Sequence, residues 1–287
     1  TGTATLANYQ TALRSVTYRS TSDDPTATAG SRTVTWAVTD ANSDLAGAQT
    51  SVAVTSTINL TALKDPPVIV VTGAASYSEN GLALTMDSTT TVTDSDDTLI
   101  DGGSVSITTG FLPDDTLTTT DSGNIIYSYD SATGVLTLSG TDTLARYQAV
   151  LRSLTYVTAS EDPTDNATKT TRVLTYSLTD ANSDGVGAAT GTTTKTITIT
   201  PSNDKPVVTA GATLTYTENA AATAIDGTMT VSDADDTQIT GATATISAGL
   251  STGDLLAVTT QNGISGTYSA GVLTLTGTAT LANYQTA

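Results

Sequence analysis

TGTATLANYQTA, Thr1 to Ala12, returns as SGTDTLARYQAV at Ser139 to Val150 and again, unchanged, at Thr276 to Ala287. The three starts lie about 138 residues apart, so the chain is two periods of one repeat, entered and left at the same internal point. Self-similarity at a fixed period marks an array of structural units. It predicts one complete unit over residues 68–205, flanked by the C-terminal part of a unit over 1–67 and the N-terminal part of another over 206–287. The string itself reads as the one short helix of each repeat: Thr143 is a capping residue, and Leu144, Tyr147 and Leu151 follow at helical spacing. Two to three turns are not stable alone, so this helix is expected to pack on a larger body.

That larger body reads as all-β. Working outward from the string, Val34, Trp36 and Val38 alternate with Thr33, Thr35 and Thr39, the period-2 pattern of a strand with one buried face. In the complete unit, strands are expected at VIVVT, SYSEN, TTTVTD, SVSITT, DTLTTT, NIIYSYD, GVLTLSG, SLTYVT, RVLTYSLTD and TKTITITP. Short strands at this spacing, separated by Asn, Asp, Gly and Pro, predict a β-sandwich and not a βαβ fold. The prolines of LKDPPV (Leu63–Val68) and SNDKPVV (Ser202–Val208) mark extended boundaries between units.

Composition narrows the function. The 28 acidic and 10 basic residues leave a net charge of −18, which speaks against nucleic acid and anionic membrane surfaces and favours cations. Cysteine and histidine are both absent. Stability must therefore come without disulfides, and the commonest general base and transition-metal ligand is missing. No apolar stretch is long enough to insert in a membrane as a helix. Asp114 and Asp115 form a paired-acid candidate for glycoside chemistry. Asp114 is replaced by Gly253 in the next copy, however, and the expectation is that the chain is not an enzyme.

The acids recur at fixed places: Glu79 and Glu218 in YSEN and YTEN, DSDD at Asp94–Asp97 and DADD at Asp233–Asp236, DANSD at Asp40–Asp44 and Asp180–Asp184, and Asp65 and Asp204 at the boundaries. Asp, Asn and Ser are ordinary turn residues. Their joint recurrence also suits a hard cation, since Ca²⁺ takes six to eight oxygen ligands from carboxylates, amides and backbone.

In order and spacing, YxEN, DxDD, TD before the last hairpin and NDxP at the boundary resemble the calcium-binding positions of cadherin repeats. With GVLTLSGT, TLARYQAVLRSLTY, SEDPT and NDKPV, the whole repeat looks like the bacterial cadherin-like (VCBS/cadherin-type) tandem repeats of giant surface adhesins and extracellular filament proteins. The resemblance implies tandem cadherin/Ig-like β-sandwiches, secreted or held at a bacterial cell surface, with Ca²⁺ bound between successive domains. Carried over by position, one joint would use Asp65, Asp94, Asp96 and Asp180, and the next Glu79, Asn203, Asp204, Asp233 and Asp235, with Glu218 the counterpart of Glu79 for a following joint.

The chain departs from the cadherin pattern in places. The acidic motif before the short helix is replaced by GTATLANY, where only Asp142 offers an acid. Lys64 takes the place of the linker Asn at the first joint, and Gly102 and Gly241 stand where another Asn is expected. One or two weakly held ions per joint are therefore expected, in the range of about 10⁻⁴ to 10⁻³ M known for extracellular calcium modules.

The functional expectation is a calcium-stiffened structural segment of a long adhesin, stalk or filament whose partners are neighbouring repeats of the same polypeptide. The alternatives are a module binding a carbohydrate or protein ligand at a cell surface, or a self-assembling sheath or fibre subunit in which like chains meet. In the last case the part-units at either end, which together amount to one repeat, complement each other between neighbouring chains.

Overall fold

The computed structural model of the chain describes residues 3–183 and 185–287. Residues 3–67 form α1 (Leu6–Arg14), β1 (Ser31–Trp36) and β2 (Val54–Asn59). The middle stretch, 68–205, begins with β3 (Val68–Val70), β4 (Ala75–Ser78), β5 (Leu84–Thr85), β6 (Thr91–Thr93), β7 (Leu99–Thr109), β8 (Asp115–Thr118), β9 (Ile126–Asp130) and β10 (Val135–Thr143). It continues with α2 (Leu144–Arg152), β11 (Thr155–Thr158), β12 (Thr171–Asp180) and β13 (Thr190–Thr200). Residues 206–287 form β14 (Val207–Thr209), β15 (Thr230–Ser232), β16 (Gln238–Thr245), β17 (Ser265–Ser269), β18 (Val272–Thr280) and α3 (Leu281–Thr286).

In the middle stretch six strands pair in the order β4-β13-β12-β7-β10-β9, and three more in the order β5-β11-β8. Every pairing in these sheets is antiparallel except β4 on β13. Val105, Leu136, Leu174 and Tyr176 of the six-stranded sheet share one buried core with Leu117 and Tyr156 of the smaller sheet. Two sheets closing on one apolar core make a β-sandwich, and the chain is all-β with short helices. Each fully buried Leu or Ile side chain contributes about 1.5–3 kcal/mol relative to exposure.

The repeated string does form the helix of each stretch. Thr143 accepts a hydrogen bond from the Arg146 N–H on its Oγ1, and Tyr147, Val150 and Leu151 are buried. The Tyr147 hydroxyl donates to the Gly140 carbonyl at 2.7 Å, and Tyr284 repeats this bond to Gly277 at 2.6 Å. Gly140 occupies a bulge in β10 with φ of +112°, and a Cβ there would meet the Asn124 carbonyl oxygen at 2.2 Å. The glycine in the string is therefore required by backbone conformation and close approach.

Three strand expectations need correction. β5 carries no alternating pattern and forms because its two residues pair with β11. β7 starts at Leu99, ahead of the expected SVSITT, and runs through Gly102 and Gly103. Gly103 is there because the Ser177 carbonyl would lie 2.3 Å from any Cβ. β1 stops at Trp36, short of its counterpart β12, which is flanked by both β13 and β7; β1 pairs with β2 alone. Trp36 is half-buried and donates its indole N–H to Ser56 Oγ at 2.9 Å.

An ion pair unforeseen from the sequence is buried in the sandwich where β8 and β12 begin. Arg172 Nε donates to Asp115 Oδ2 at 2.6 Å, with both side chains fully buried. The Tyr156 hydroxyl donates to Asp115 Oδ1 at 2.7 Å, and the Arg172 guanidinium also donates to the carbonyls of Pro163 and Lys169. This engagement makes Asp115 a structural residue, not half of an acid pair with Asp114.

Candidate metal centre at the joints

The DxDD loops fold first as local turns. Asp94 Oδ1 accepts from the N–H groups of Asp96 (3.2 Å) and Asp97 (3.0 Å), and Asp233 Oδ1 does the same with Asp235 (3.2 Å) and Asp236 (2.9 Å). This turn gathers carboxylates. Asp94, Asp96 and Asp97 each offer an oxygen, all within 4.8 Å of one another, and so do Asp233, Asp235 and Asp236.

The boundary segments then dock onto these loops. Asp65 donates its N–H to Asp96 Oδ2 at 3.0 Å, and one repeat later Asp204 donates to Asp235 Oδ2 at 3.2 Å. Ser95 Oγ donates to Asp65 Oδ2 at 3.1 Å. At the second joint Glu79, Glu161 and Asp204 bring oxygens within 4.8 Å of one another. An open cleft of about 410 Å³ beside them is lined by Glu161, Asp204, Lys205, Ser232 and Asp233. Glu79 sits at the end of β4, only 7% exposed, and its Oε2 accepts from the Ser202 N–H at 2.6 Å.

Once these bonds are made, several buried carboxylate oxygens still have no hydrogen-bond partner: Asp94 Oδ2 and Asp96 Oδ1 at the first joint, Glu79 Oε1 and Asp235 Oδ1 at the second. Buried charge without compensation is costly, and the electrostatics reflect it. Burial, followed by the adjacent Asp96 carboxylate, pushes the Asp94 carboxyl up to about 6. Burial raises Glu79, with Asp204, Glu161 and Asp235 adding like-charge repulsion. Asp235 is raised by burial and by its neighbour Asp233. Asp233 moves down, because backbone N–H groups, chiefly that of Asp236, outweigh its own burial.

The remaining sequence candidates are placed differently. Asp180 is fully buried and spends its oxygens on its own turn, accepting from Asn182 N at 3.2 Å and Ala189 N at 2.7 Å. Its loop meets the acidic cluster through Ser183, whose N–H and hydroxyl both donate to Asp97 Oδ1; Asp184 lies outside the described residues. Asn203 turns its amide to the Asp204 carbonyl at 2.6 Å. Glu218 is exposed and joins none of the acidic groups found among the described residues. Lys64 points its ammonium at the Ala188 carbonyl, 2.8 Å away. The Asn of YSEN and YTEN is a turn residue, with φ of +57° at Asn80 and +65° at Asn219.

Glu161 was not singled out from the sequence, and Asp97 and Asp236, read as members of DSDD and DADD, were not among the residues carried over to the joints. For Glu161 a signal existed, since SEDP at Ser160–Pro163 has a counterpart in SDDP at Ser22–Pro25. It also corrects the expectation attached to GTATLANY. The acid at the joint comes from the segment after β11, whereas Asp142 accepts from Asn124 N (2.9 Å) and Thr143 N (2.7 Å) and tethers β10 to the turn before β9.

The comparisons with known proteins give partial likenesses. No family description matches the chain. Halomucin of Haloquadratum walsbyi (strain DSM 16790 / HBSQ001) is 39% identical over 119 residues, 39% of this chain. The chain spans about 1% of the length of that curated relative. Among solved structures, the protocadherin gamma B4 extracellular domain overlaps 84% of this chain and 32% of its own, at 13% identity and a TM-score of 0.29. Surface layer protein SbsC, domains 4–9, overlaps 80% of this chain and 30% of its own, at 10% identity and a TM-score of 0.19. The architecture is defined by the sheet order described above, not by these overlaps. No helix among the described residues is long and apolar enough to cross a membrane.

Proposed function

We propose that the chain is a segment of a long extracellular array of cadherin-like β-sandwiches, serving as a stalk or spacer whose joints are stiffened by Ca²⁺. The observation that carries this reading is the set of unpartnered buried carboxylate oxygens at two equivalent joints, Asp94 Oδ2 and Asp96 Oδ1 at one and Glu79 Oε1 and Asp235 Oδ1 at the other. An all-oxygen donor set without His or Cys suits a hard divalent cation. Likeness to a short part of a very long protein fits an array. Function in this reading is mechanical: carboxylates from successive units repel when unneutralised and are drawn onto one ion when it is present.

Calorimetric titration of the chain with Ca²⁺ tests the proposal. Saturable binding with dissociation constants of about 10⁻⁴ to 10⁻³ M is expected, lost when Glu79→Gln and Asp235→Asn are combined at one joint and Asp94→Asn and Asp96→Asn at the other. Absence of binding at 10-fold higher calcium would remove the reading.

A further inference from the structure

The loop between β11 and β12, residues 159–170, lies wholly within the complete sandwich of the middle stretch. Besides Glu161 it carries Asn166-Ala167-Thr168, the Asn-X-Thr pattern, with X not proline, of an acceptor for an N-linked glycan. The first copy reads PTATAGSR at Pro25–Arg32 where the second reads PTDNATKTTR at Pro163–Arg172, so the second loop is two residues longer. Aligned on PT and AT, the added pair is Asp165 and Asn166.

Those two residues build an unusual turn. Asp165, Asn166 and Ala167 take φ of +51°, +52° and +63°, three consecutive left-handed residues without a glycine. Such backbone is normally visited by single residues, and a run of it persists only when its surroundings impose it. Here Asp162 Oδ2 accepts the Asn166 backbone N–H at 2.8 Å and its amide Nδ2 at 3.0 Å, and Thr164 Oγ1 accepts the Ala167 N–H at 3.2 Å. The Lys169 N–H donates to the Thr164 carbonyl at 2.7 Å, and its ammonium pairs with Asp165 at 3.3 Å. Pro163 and Thr164 are buried, whereas Asp165, Asn166, Ala167 and Thr168 are all exposed. The turn therefore lifts the whole acceptor pattern off the sandwich. The Asn166 amide has two hydrogens and spends one on Asp162, which leaves the other for chemistry.

We infer that Asn166 is an N-glycosylation site, its donor an oligosaccharide carried on a lipid pyrophosphate; the inference rests on the extracellular placement proposed above. The Nδ2–C1 bond to the sugar forms as the C1–O bond to the pyrophosphate breaks. The pyrophosphate leaves with the bonding pair, and Nδ2 gives up one proton. The remaining N–H keeps the bond to Asp162, so the turn survives the transfer. The bulky, solubilising glycan then stands on the loop that delivers Glu161 to the acidic group of the second joint. Asn59-Leu60-Thr61 has the same pattern, but Asn59 is held in the β1–β2 ladder opposite Ser31 and is no part of the inference.

The test is mass spectrometry of the peptide Ser153–Lys169, released by trypsin from intact source cells; Asn166 is its only asparagine. Most of the peptide is expected to carry sugar, with fragment ions placing it on Asn166. A mostly bare peptide, or sugar confined to its Ser and Thr residues, would overturn the site. A peptide found in lysate but not released from intact cells would instead overturn the extracellular placement, so the two failures are distinct. As a second measurement, the full chain is secreted from a host that N-glycosylates Asn-X-Ser/Thr. Thr168→Ser should keep the glycan on this peptide. Thr168→Ala should lose it, as should Asn166→Gly, which suits the left-handed backbone. Sugar retained in either of the last two variants, or missing from the unmodified chain, would overturn the assignment.

Discussion

The Asp204 N–H donates to Asp235 Oδ2 at 3.2 Å, and 139 residues earlier the Asp65 N–H makes the same bond to Asp96 Oδ2 at 3.0 Å. In each case a linker backbone is tied to the first acidic loop of the following stretch, while the opposite oxygen, Asp235 Oδ1 or Asp96 Oδ1, is left buried and unpartnered. Two independent joints with the same unsatisfied atom indicate a shared requirement and not a local accident.

Replacement of Glu79 by Gln should separate stability from ion binding. Glu79 is buried beside Glu161 and Asp204, its carboxyl is raised by burial, and three neighbouring acids add repulsion. In chelator, Glu79→Gln should therefore melt at or above the temperature of the unmodified chain. In 10 mM Ca²⁺, about 10 to 100 times the expected dissociation constant, the unmodified chain should gain about 1.4–2.7 kcal/mol per occupied site. The variant should lose that gain at the second joint. Differential scanning calorimetry in both conditions reads the two effects.

The pH dependence should reverse with calcium. Asp94 is pushed up to about 6 by burial and by Asp96, and Glu79 and Asp235 move in the same direction. A carboxyl bound more tightly to its proton in the folded state than in the unfolded one makes stability fall as pH rises through that interval. In chelator the melting temperature should then increase as pH is lowered from about 7 to about 4.5. Below about 4 the trend should turn downward, because Asp87 and Asp226 are held low and lose their bonds on protonation. Burial opposes that depression at Asp87, where hydrogen bonds from Thr89 and Thr72 prevail; at Asp226 it is the Ala212, Thr228 and Gly211 donors that prevail. With saturating Ca²⁺ the rise between 7 and 4.5 should disappear.

The buried pair predicts a loss that calcium does not rescue. Asp115→Ala removes the carboxylate from Arg172, leaving a guanidinium with no compensating charge in a fully enclosed position. Breaking one partner of such a pair costs about 3–5 kcal/mol. Chemical denaturation should show that loss equally in calcium and in chelator.

Gly140→Ala tests the bulge in the repeated string. The residue sits at φ of +112° with the Asn124 carbonyl 2.2 Å from any Cβ. A destabilisation of at least about 1–3 kcal/mol is expected, with hydrogen exchange accelerating in β10 and α2 before the rest of the sandwich.

Much of this architecture was legible in the chain, and what was not has identifiable causes. The helix was readable because capping, spacing and repetition agree at Thr143, Tyr147 and Leu151. The strands of the middle stretch were readable because one face of each is apolar. β5 was hidden because two residues carry no period, and the glycine-bearing start of β7 because a turn signal and a close backbone approach look alike in one sequence. Arg172–Asp115 was invisible because pairing across 57 residues is set by the sheets, not by spacing. Among the joint acids, the DxDD loops were legible as clusters. Glu161 was missed because its segment lies far from them in sequence and reaches them only through the fold.

Small-angle scattering of the full chain at matched ionic strength, with Ca²⁺ and with chelator, bears most directly on the claim that cations hold the joints. Calcium should narrow the distribution of interdomain distances and lengthen the mean end-to-end dimension, and Glu79→Gln combined with Asp235→Asn should abolish the change at the second joint. Superimposable profiles in calcium and chelator, at calcium concentrations well above 10⁻³ M, would contradict it.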